Sequence, residues 1–525
     1  KLDYLKWLGV DALWISPFYP SAQVDWGYDI SDYNGVDPDY GTLADADRLI
    51  EEAHRRDMHI LLDLVLNHTS DRHPWFQQSK SGRSNPYRDW YIWRDGRNGG
   101  SPNDWESTFG GPAWTLDEAT GQYYYHYFFK EQPDLNWRNP EVKQAMFDVA
   151  RFWLERGVDG FRLDAIGTIF EAEDLPDNQT PGSLEDIFIS FRKGIIVGWE
   201  LWKEKNRFQT DQPEIHPLLQ EMRKLVDTYP GRILLGESDN INLYGSGENE
   251  LHSVFNFELM YKLEADYLRN KLADRLPCLP PGAWECNTVG NHDRIRSYTF
   301  YSDGQQDELR ARLALALVAL LPGTPVYYNG EEIGIRNLPP ARLADLKDTL
   351  AIHFYQILRD KHGMSHAEAF DIAANFMGRD GCRTPMQWRN APNAGFSPPG
   401  VATWLPVNPD YSTGVNVESQ QADPGSMLSF IRRLLQLRKD YTVLRRGDIQ
   451  LIEDTGQVLA FLRSYKGQRY LVALNISAEA YAFLPEDSAR LKPVYMSQHE
   501  VDGQERGIIQ LAAYEICIAE SLETQ

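Results

Sequence analysis

Six polar residues stand at the ends of apolar runs: His68 after 63–67, Arg162 and Asp164 in 160–164, Glu237 after 232–236, and His292 and Asp293 after 285–290. Taken singly, each has a plain structural reading. Arg162 and Asp164 lie two apart on a predicted strand, so they share a face and would make a salt bridge. A glutamate after an apolar strand is often just a neighbour of the next helix cap. Together they are harder to dismiss, because gathering like charges in one place is costly without a task. The chemistry that uses two close carboxylates and a third is glycoside hydrolysis, in which one carboxylate attacks the anomeric carbon and the other protonates the leaving oxygen. Asp164 fits the attacking role, with Arg162 beside it to keep its pKa low. Glu237 fits the acid, its pKa raised by neighbouring negative charge. Asp293 would hold sugar hydroxyls and oppose the positive charge of an oxocarbenium-like transition state. His68 and His292 would donate hydrogen bonds to hydroxyls.

The elements that must position these residues are short apolar runs alternating with amphipathic helices. Strands are predicted at 11–18 (DALWISPF), 59–67 (HILLDLVLN), 158–165, 232–237 (RILLGE), 253–257, 285–289 and 325–328. Helices are predicted at 2–8, 43–56, 141–156, where Pro140 starts and Gly157 ends the helix, and 215–229. Strands apolar on both faces and separated by helices mean a parallel sheet, and this many such units point to a (β/α)8 TIM barrel whose site lies at the strand C-termini. The chain opens inside a helix–strand unit, so the first barrel strand is expected to be missing from it. Residues 69–135, rich in Gly, Pro, Asn and aromatics and without a clean helix, read as an inserted subdomain after the third strand. After a helix at 427–439, strands at 448–461, 468–476 and 506–518 make a C-terminal antiparallel β domain. The expected division is 1–68 with 136–440 as the catalytic barrel, 69–135 as the insert and 441–525 as the β domain. The stretch 339–376 is left unassigned.

Composition excludes several classes. The chain has 525 residues and a formal charge of −23. A surface that acidic repels phosphate backbones and anionic lipid, so neither nucleic acid nor a membrane is an expected partner. The longest apolar run, 313–321, is far shorter than the ~20 residues of a membrane span, and no signal peptide is visible. Four cysteines cannot form a disulfide framework, although Cys278 and Cys286 are near enough in sequence to pair, and no CxxC spacing suggests zinc. The expectation is a cytoplasmic monomer or homodimer acting on a small-molecule sugar.

The motifs DLVLNH (63–68), GFRLDAI (160–166), GESD (236–239) and VGNHD (289–293) resemble those of the α-amylase superfamily, glycoside hydrolase family 13, and within it the α-glucosidase and oligo-1,6-glucosidase group. DWGYDISDY (25–33), QPDLNW (132–137) and RDGCRTPMQW (379–388) extend the resemblance over nearly the whole chain. The resemblance implies a retaining mechanism with Asp164 as nucleophile, Glu237 as acid/base and Asp293 as transition-state stabiliser, the two working carboxylates being ~5–5.5 Å apart. It implies that Asp25, Tyr28, His68, Arg162, His292 and Arg383 line the subsite for the reacting sugar, with Tyr28 stacked under the ring. No organic cofactor and no metal ligand are implied. Calcium remains open only through Asn67, because the calcium loop of some relatives would precede Lys1.

In this group the residue after the nucleophile borders the next sugar. Valine there goes with α-1,6 preference and alanine or threonine with α-1,4, so Ala165 leans toward maltose-type α-1,4 linkages. The insert 69–135 would turn a groove into a pocket and favour exo-action on short sugars. Alternatives with the same carboxylates are an α-1,6-glucosidase, a transglucosidase or a trehalose synthase. A remoter alternative from another class is the non-enzymatic ectodomain of an amino-acid transporter heavy chain, which resembles the family but need not keep the acids.

Overall fold

The computed structural model describes residues 1–191, 195–453, 455–483, 491–499 and 508–521. They group into two compact units. The first comprises Lys1–Val254, Pro280–Ala283 and Asp348–Ala373, and the second Phe255–Leu279, Trp284–Lys347 and Ala374–Gln525.

The first unit is built on parallel strands. Ala12–Ile15 pairs with His59–Val65, which pairs with Gly160–Asp164, which pairs with Ile233–Gly236, followed by residues 253–254. Gly160–Asp164 is buried throughout, as expected of a parallel strand covered on both faces. The register sets Asp63 opposite Arg162 and Val65 opposite Asp164. This register needs glycine at 160, where φ is +148° and an added Cβ would lie 2.1 Å from the Ile233 carbonyl oxygen. Helices Leu43–His54, Pro140–Glu155 and Ile215–Asp227 connect the strands. Thr42 and Asp45 form a capping box on the first. Pro140 occupies the first turn of the second, and the Asn139 side chain caps it.

The insert is more regular than its composition suggests. It contains a helix, Pro74–Lys80, capped by the His73 side chain, and an antiparallel sheet with Gln122–Tyr125 between Trp93–Asp95 and Trp114–Asp117. Trp105, Trp114, Tyr125 and Tyr127 form its core, so much of the aromatic content packs here. The unassigned stretch holds two helices, Thr349–Asp360 and His366–Ile372, the latter with a Ser365/Glu368 capping box.

In the second unit residues 255–256, Cys286–Asn287 and Thr324–Pro325 pair in parallel. The apolar run at 313–321 falls largely in the helix Asp307–Leu320, which is buried almost all round. Arg438 and Arg463, both buried, donate to the carbonyls of Ala319, Leu320 and Leu321 at the end of this helix, satisfying groups that have no intrahelical partner. The C-terminal sheet runs Asp448–Ile452, Val458–Tyr465, Gln468–Asn475, Ile516–Ser521, Leu491–Met496, with Tyr481–Phe483 paired to Ile509–Leu511. The expected strand 448–461 is thus two strands. Of the expected strand 506–518, residues 506–507 lie outside the described residues and the rest belongs to two strands. All four cysteines are free, including Cys278 and Cys286. No helix among the described residues is long and apolar enough to cross a membrane.

Candidate active site

Arg162 is the hub of the first unit's polar cluster. Its Nη1 donates to Asp63 Oδ1 at 2.7 Å and also to Asp164 Oδ1, while Nη2 pairs with Glu237 Oε1 at 2.8 Å. One guanidinium therefore serves three carboxylates from three adjacent strands. The in-register neighbour Asp63 and the same-face neighbour Asp164 are placed by pleat geometry alone. The guanidinium lies 4.7 Å from the Trp14 ring. Trp14 and Tyr28 complete the shell of Asp63, their indole N–H and hydroxyl donating to its Oδ2 at 3.1 and 2.9 Å.

The electrostatics of this cluster differ from the sequence expectation for Asp164. Burial pushes the Asp164 carboxyl well above the usual carboxylate range, the charges of Glu237 and Asp63 push the same way, and Arg162 only partly opposes them. Burial likewise raises Asp63. Burial disfavours the charge on Arg162, yet Asp63 and Glu237 hold it firmly protonated. Three acids around one cation leave an excess of negative charge in a buried place, and this works in the same direction as burial on Asp164.

Glu237 follows its strand directly, and its side chain is about one-fifth exposed (22%). Its Oε2 accepts the main-chain N–H of Ala165 at 2.9 Å. Ala165 holds a left-handed conformation, φ 41° and ψ 41°, which few non-glycine residues adopt. His68 is buried and its pKa falls to about 3, so it is neutral. His68 Nε2 lies 3.0 Å from Gln132 Nε2 and 3.2 Å from the Tyr28 carbonyl oxygen, and its Nδ1 lies 2.8 Å from Asn67 Oδ1. The same Gln132 nitrogen donates to Asp25 Oδ2 at 3.2 Å, and the Asp25 N–H donates to Asp29. Asp25, Tyr28, His68, Arg162, Asp164, Ala165 and Glu237 are thus linked through one hydrogen-bonded network in this unit.

The second unit holds His292, Asp293 and Arg383 together. Arg383 Nη2 donates to Asp293 Oδ1 at 2.6 Å and its Nε donates to the His292 carbonyl at 2.7 Å. Asp293 Oδ2 lies 3.3 Å from His292 Nε2, and Arg379 reaches Asp293 Oδ1 at 3.6 Å. Beneath this turn sits Glu331, fully buried, which accepts from the Ser297 hydroxyl at 2.7 Å and the Tyr328 N–H at 2.9 Å. A Cβ at Gly290 would come within 2.3 Å of Glu331 Oε1, so the turn can approach this closely only with glycine there.

The calcium question turns on Asn67. Its amide nitrogen donates to Asp134 Oδ2 and to the Thr168 carbonyl, both at 2.9 Å, and its carbonyl oxygen faces His68. The amide stands between the two oxygens a cation would need, so these residues do not fit one. Among the described residues no group of three His, Cys, Asp or Glu is arranged to hold a metal.

Sequence reasoning overlooked Asp63, Gln132, Arg379 and Glu331. Asp63 was visible as the single acid inside an apolar strand. Gln132 and Arg379 open motifs already noted. Glu331 has no spacing signal, because its partners are a hydroxyl and a backbone N–H.

A parallel sheet with carboxylates at its strand ends, gathered on an arginine, defines a barrel-type glycoside hydrolase site. The chain belongs to the α-amylase family, glycoside hydrolase family 13: the model of the α-amylase catalytic domain matches residues 1–447. The oligo-1,6-glucosidase of Parageobacillus thermoglucosidasius is 37% identical over 528 residues, covering 96% of this chain and 90% of the relative. A probable α-glucosidase of Rhizobium meliloti (strain 1021) is 38% identical over 491 residues, covering 91% and 84%. The solved structure of the α-glucosyl transfer enzyme XgtA matches with a TM-score of 0.86 and 38% identity, over 99% of this chain and 94% of that one. This protein is therefore a glycoside hydrolase of the α-glucosidase group, with that family's parallel-strand α/β fold, seven of whose strands lie among the described residues, and a C-terminal antiparallel sheet.

Proposed function

We propose that the protein is a retaining, exo-acting α-glucosidase of short α-glucosides. The observation that carries this reading is the single guanidinium of Arg162 shared by Asp164 and Glu237. Glu237 gives a proton to the glycosidic oxygen as the C1–O bond breaks, and Asp164 forms an ester to C1. Water then attacks C1, Glu237 takes its proton, and the ester bond to Asp164 breaks to release glucose with the configuration of the substrate. Asp293, on its VGNHD motif, is assigned the third carboxylate's role, held by Arg383 and His292. Asp25, Tyr28 and His68 are assigned to the reacting sugar. The amide of Asn67 between Asp134 and Thr168 supports activity without calcium, so chelation with EDTA should leave the rate unchanged. Four free cysteines support a reducing, cytoplasmic location.

For linkage, the names of the relatives favour α-1,6, against the α-1,4 preference expected from Ala165. We take α-1,6 as the preferred linkage, and keep α-1,4 as the second reading because alanine follows the nucleophile. The test is glucose release from equimolar isomaltose, maltose, sucrose and trehalose, with products resolved by chromatography. Isomaltose cleaved fastest supports the first reading and maltose the second. New disaccharides or trisaccharides in place of glucose would make the protein a transferase. No turnover of any of them would revive the non-enzymatic alternative.

A further inference from the structure

The first unit carries a depression that the catalytic cluster does not use. Tyr87, Trp90, Pro140, Glu141, Gln144 and Asp148 line a depression of about 560 Å³ open to solvent. Its aromatic wall is rigid. The Trp90 ring packs against Tyr87 at 4.6 Å and Trp75 at 4.8 Å, and its indole N–H donates to Glu141 Oε2 at 3.1 Å. The turn that presents it is pinned by the side-chain amides of Asn136 and Asn139, both donating to the Asp89 carbonyl. Opposite, the helix Pro140–Glu155 presents Glu141, the Gln144 amide, which donates to Asp148 Oδ1 at 2.9 Å, and Asp148, whose Oδ1 also pairs with Arg151.

We propose that this depression is a secondary binding site for a glucosyl unit of a short α-gluco-oligosaccharide. A pyranose has a flat C–H face that rests on an aromatic ring and a rim of hydroxyls that donate to carboxylates, and this wall-and-rim arrangement supplies both. The −23 charge of the chain disfavours phosphates and anionic lipids as occupants. The proposal rests on the glucosidase reading for the identity of the sugar.

The test counts sites. Isomaltotriose and maltotriose are titrated calorimetrically into the full chain carrying Asp164→Asn, and into the same chain also carrying Ala145→Trp, which fills the depression from the helix side, or Trp90→Ala, which removes its platform. Each second substitution should remove one equivalent of bound trisaccharide. With Asp164 intact, Ala145→Trp should keep kcat/KM on p-nitrophenyl α-glucoside within about twofold. Unchanged stoichiometry in the Ala145→Trp chain overturns the site, as does a proline-rich peptide that binds there while the sugars do not. Glucose appearing in the Asp164→Asn titration would instead count against the catalytic assignment, so the two failures are separable.

Discussion

The main-chain N–H of Ala165, the residue that follows Asp164, donates to Glu237 Oε2 at 2.9 Å. The proposed nucleophile and acid/base are therefore tied through the backbone of one residue, which sits in the left-handed region to make the bond. Valine tolerates that region worse than alanine, with strain on the order of 1 kcal/mol. Ala165→Val should lower thermal stability and shift the ratio of maltose to isomaltose cleavage toward isomaltose. Ala165→Gly relieves the strain, keeps the N–H, and should leave kcat within about threefold of the parent. An unchanged linkage ratio in the valine variant would remove Ala165 as a marker of specificity.

Asp164→Asn should reduce turnover of p-nitrophenyl α-glucoside by ~10³-fold or more while the protein stays folded. Burial already raises the Asp164 pKa, so a neutral side chain there is well tolerated. The check is residual rate against the melting curve. Near-normal activity would show that another group attacks the sugar.

Arg162→Met removes the cation paired with buried Asp63 and Asp164 in this cluster. Stripping one partner from such a set costs ~3–5 kcal/mol. The loss should be largest at pH 8 and smaller at pH 5, where the stranded carboxyls take up protons more readily. Urea midpoints of parent and variant at the two pH values measure it. A deficit independent of pH would mean that lost packing, not stranded charge, sets the cost.

Glu331 gives a pH dependence of known sign. Burial raises its pKa from 4.5 to about 7, so between these values the folded protein binds more protons than the unfolded chain. Stability from this group is present below pH 4.5 and falls as pH rises toward 7, by roughly 3 kcal/mol in all. Glu331→Gln mimics the protonated acid and can still accept from Tyr328 and face Ser297. The variant should therefore gain stability relative to the parent as pH rises from 5 to 7.5, read as diverging melting temperatures. Parallel curves would contradict the buried, raised acid.

His68 should contribute no limb to the pH–rate profile between pH 5 and 8. Burial takes its pKa to about 3, and its ring is neutral throughout that window. His68→Gln, measured on the same substrate, should lower the rate without moving the acid limb. An acid limb that disappears in the variant would show that the ring titrates in that range.

The strand series was legible because each strand is an apolar run, and the residues with chemistry sit at run ends where alternation breaks. The observed strands are shorter than the runs: 11–18 shrinks to Ala12–Ile15. Asp63 escaped notice because a charge inside an apolar strand reads as an exception, and only the register shows it facing Arg162. The sense of the Asp164 shift was hidden for a related reason: Arg162 was visible two residues away, whereas the depth of burial was not. In the insert, one turn cap at His73 and a few aromatic pairs create order that composition conceals. In the C-terminal domain the Asp-Thr-Gly turn signal at 454–456 lies inside the run read as one strand, and two strands merged into one.

The central claim is that Asp164 forms a covalent bond to the sugar. Incubation of the full chain with 5-fluoro-α-glucosyl fluoride, followed by proteolysis and mass spectrometry, tests it directly. The account predicts a single glucosyl label on Asp164, with α-glucose as the first product of unlabelled substrate by NMR. A label on another residue, or β-glucose released first, would contradict it.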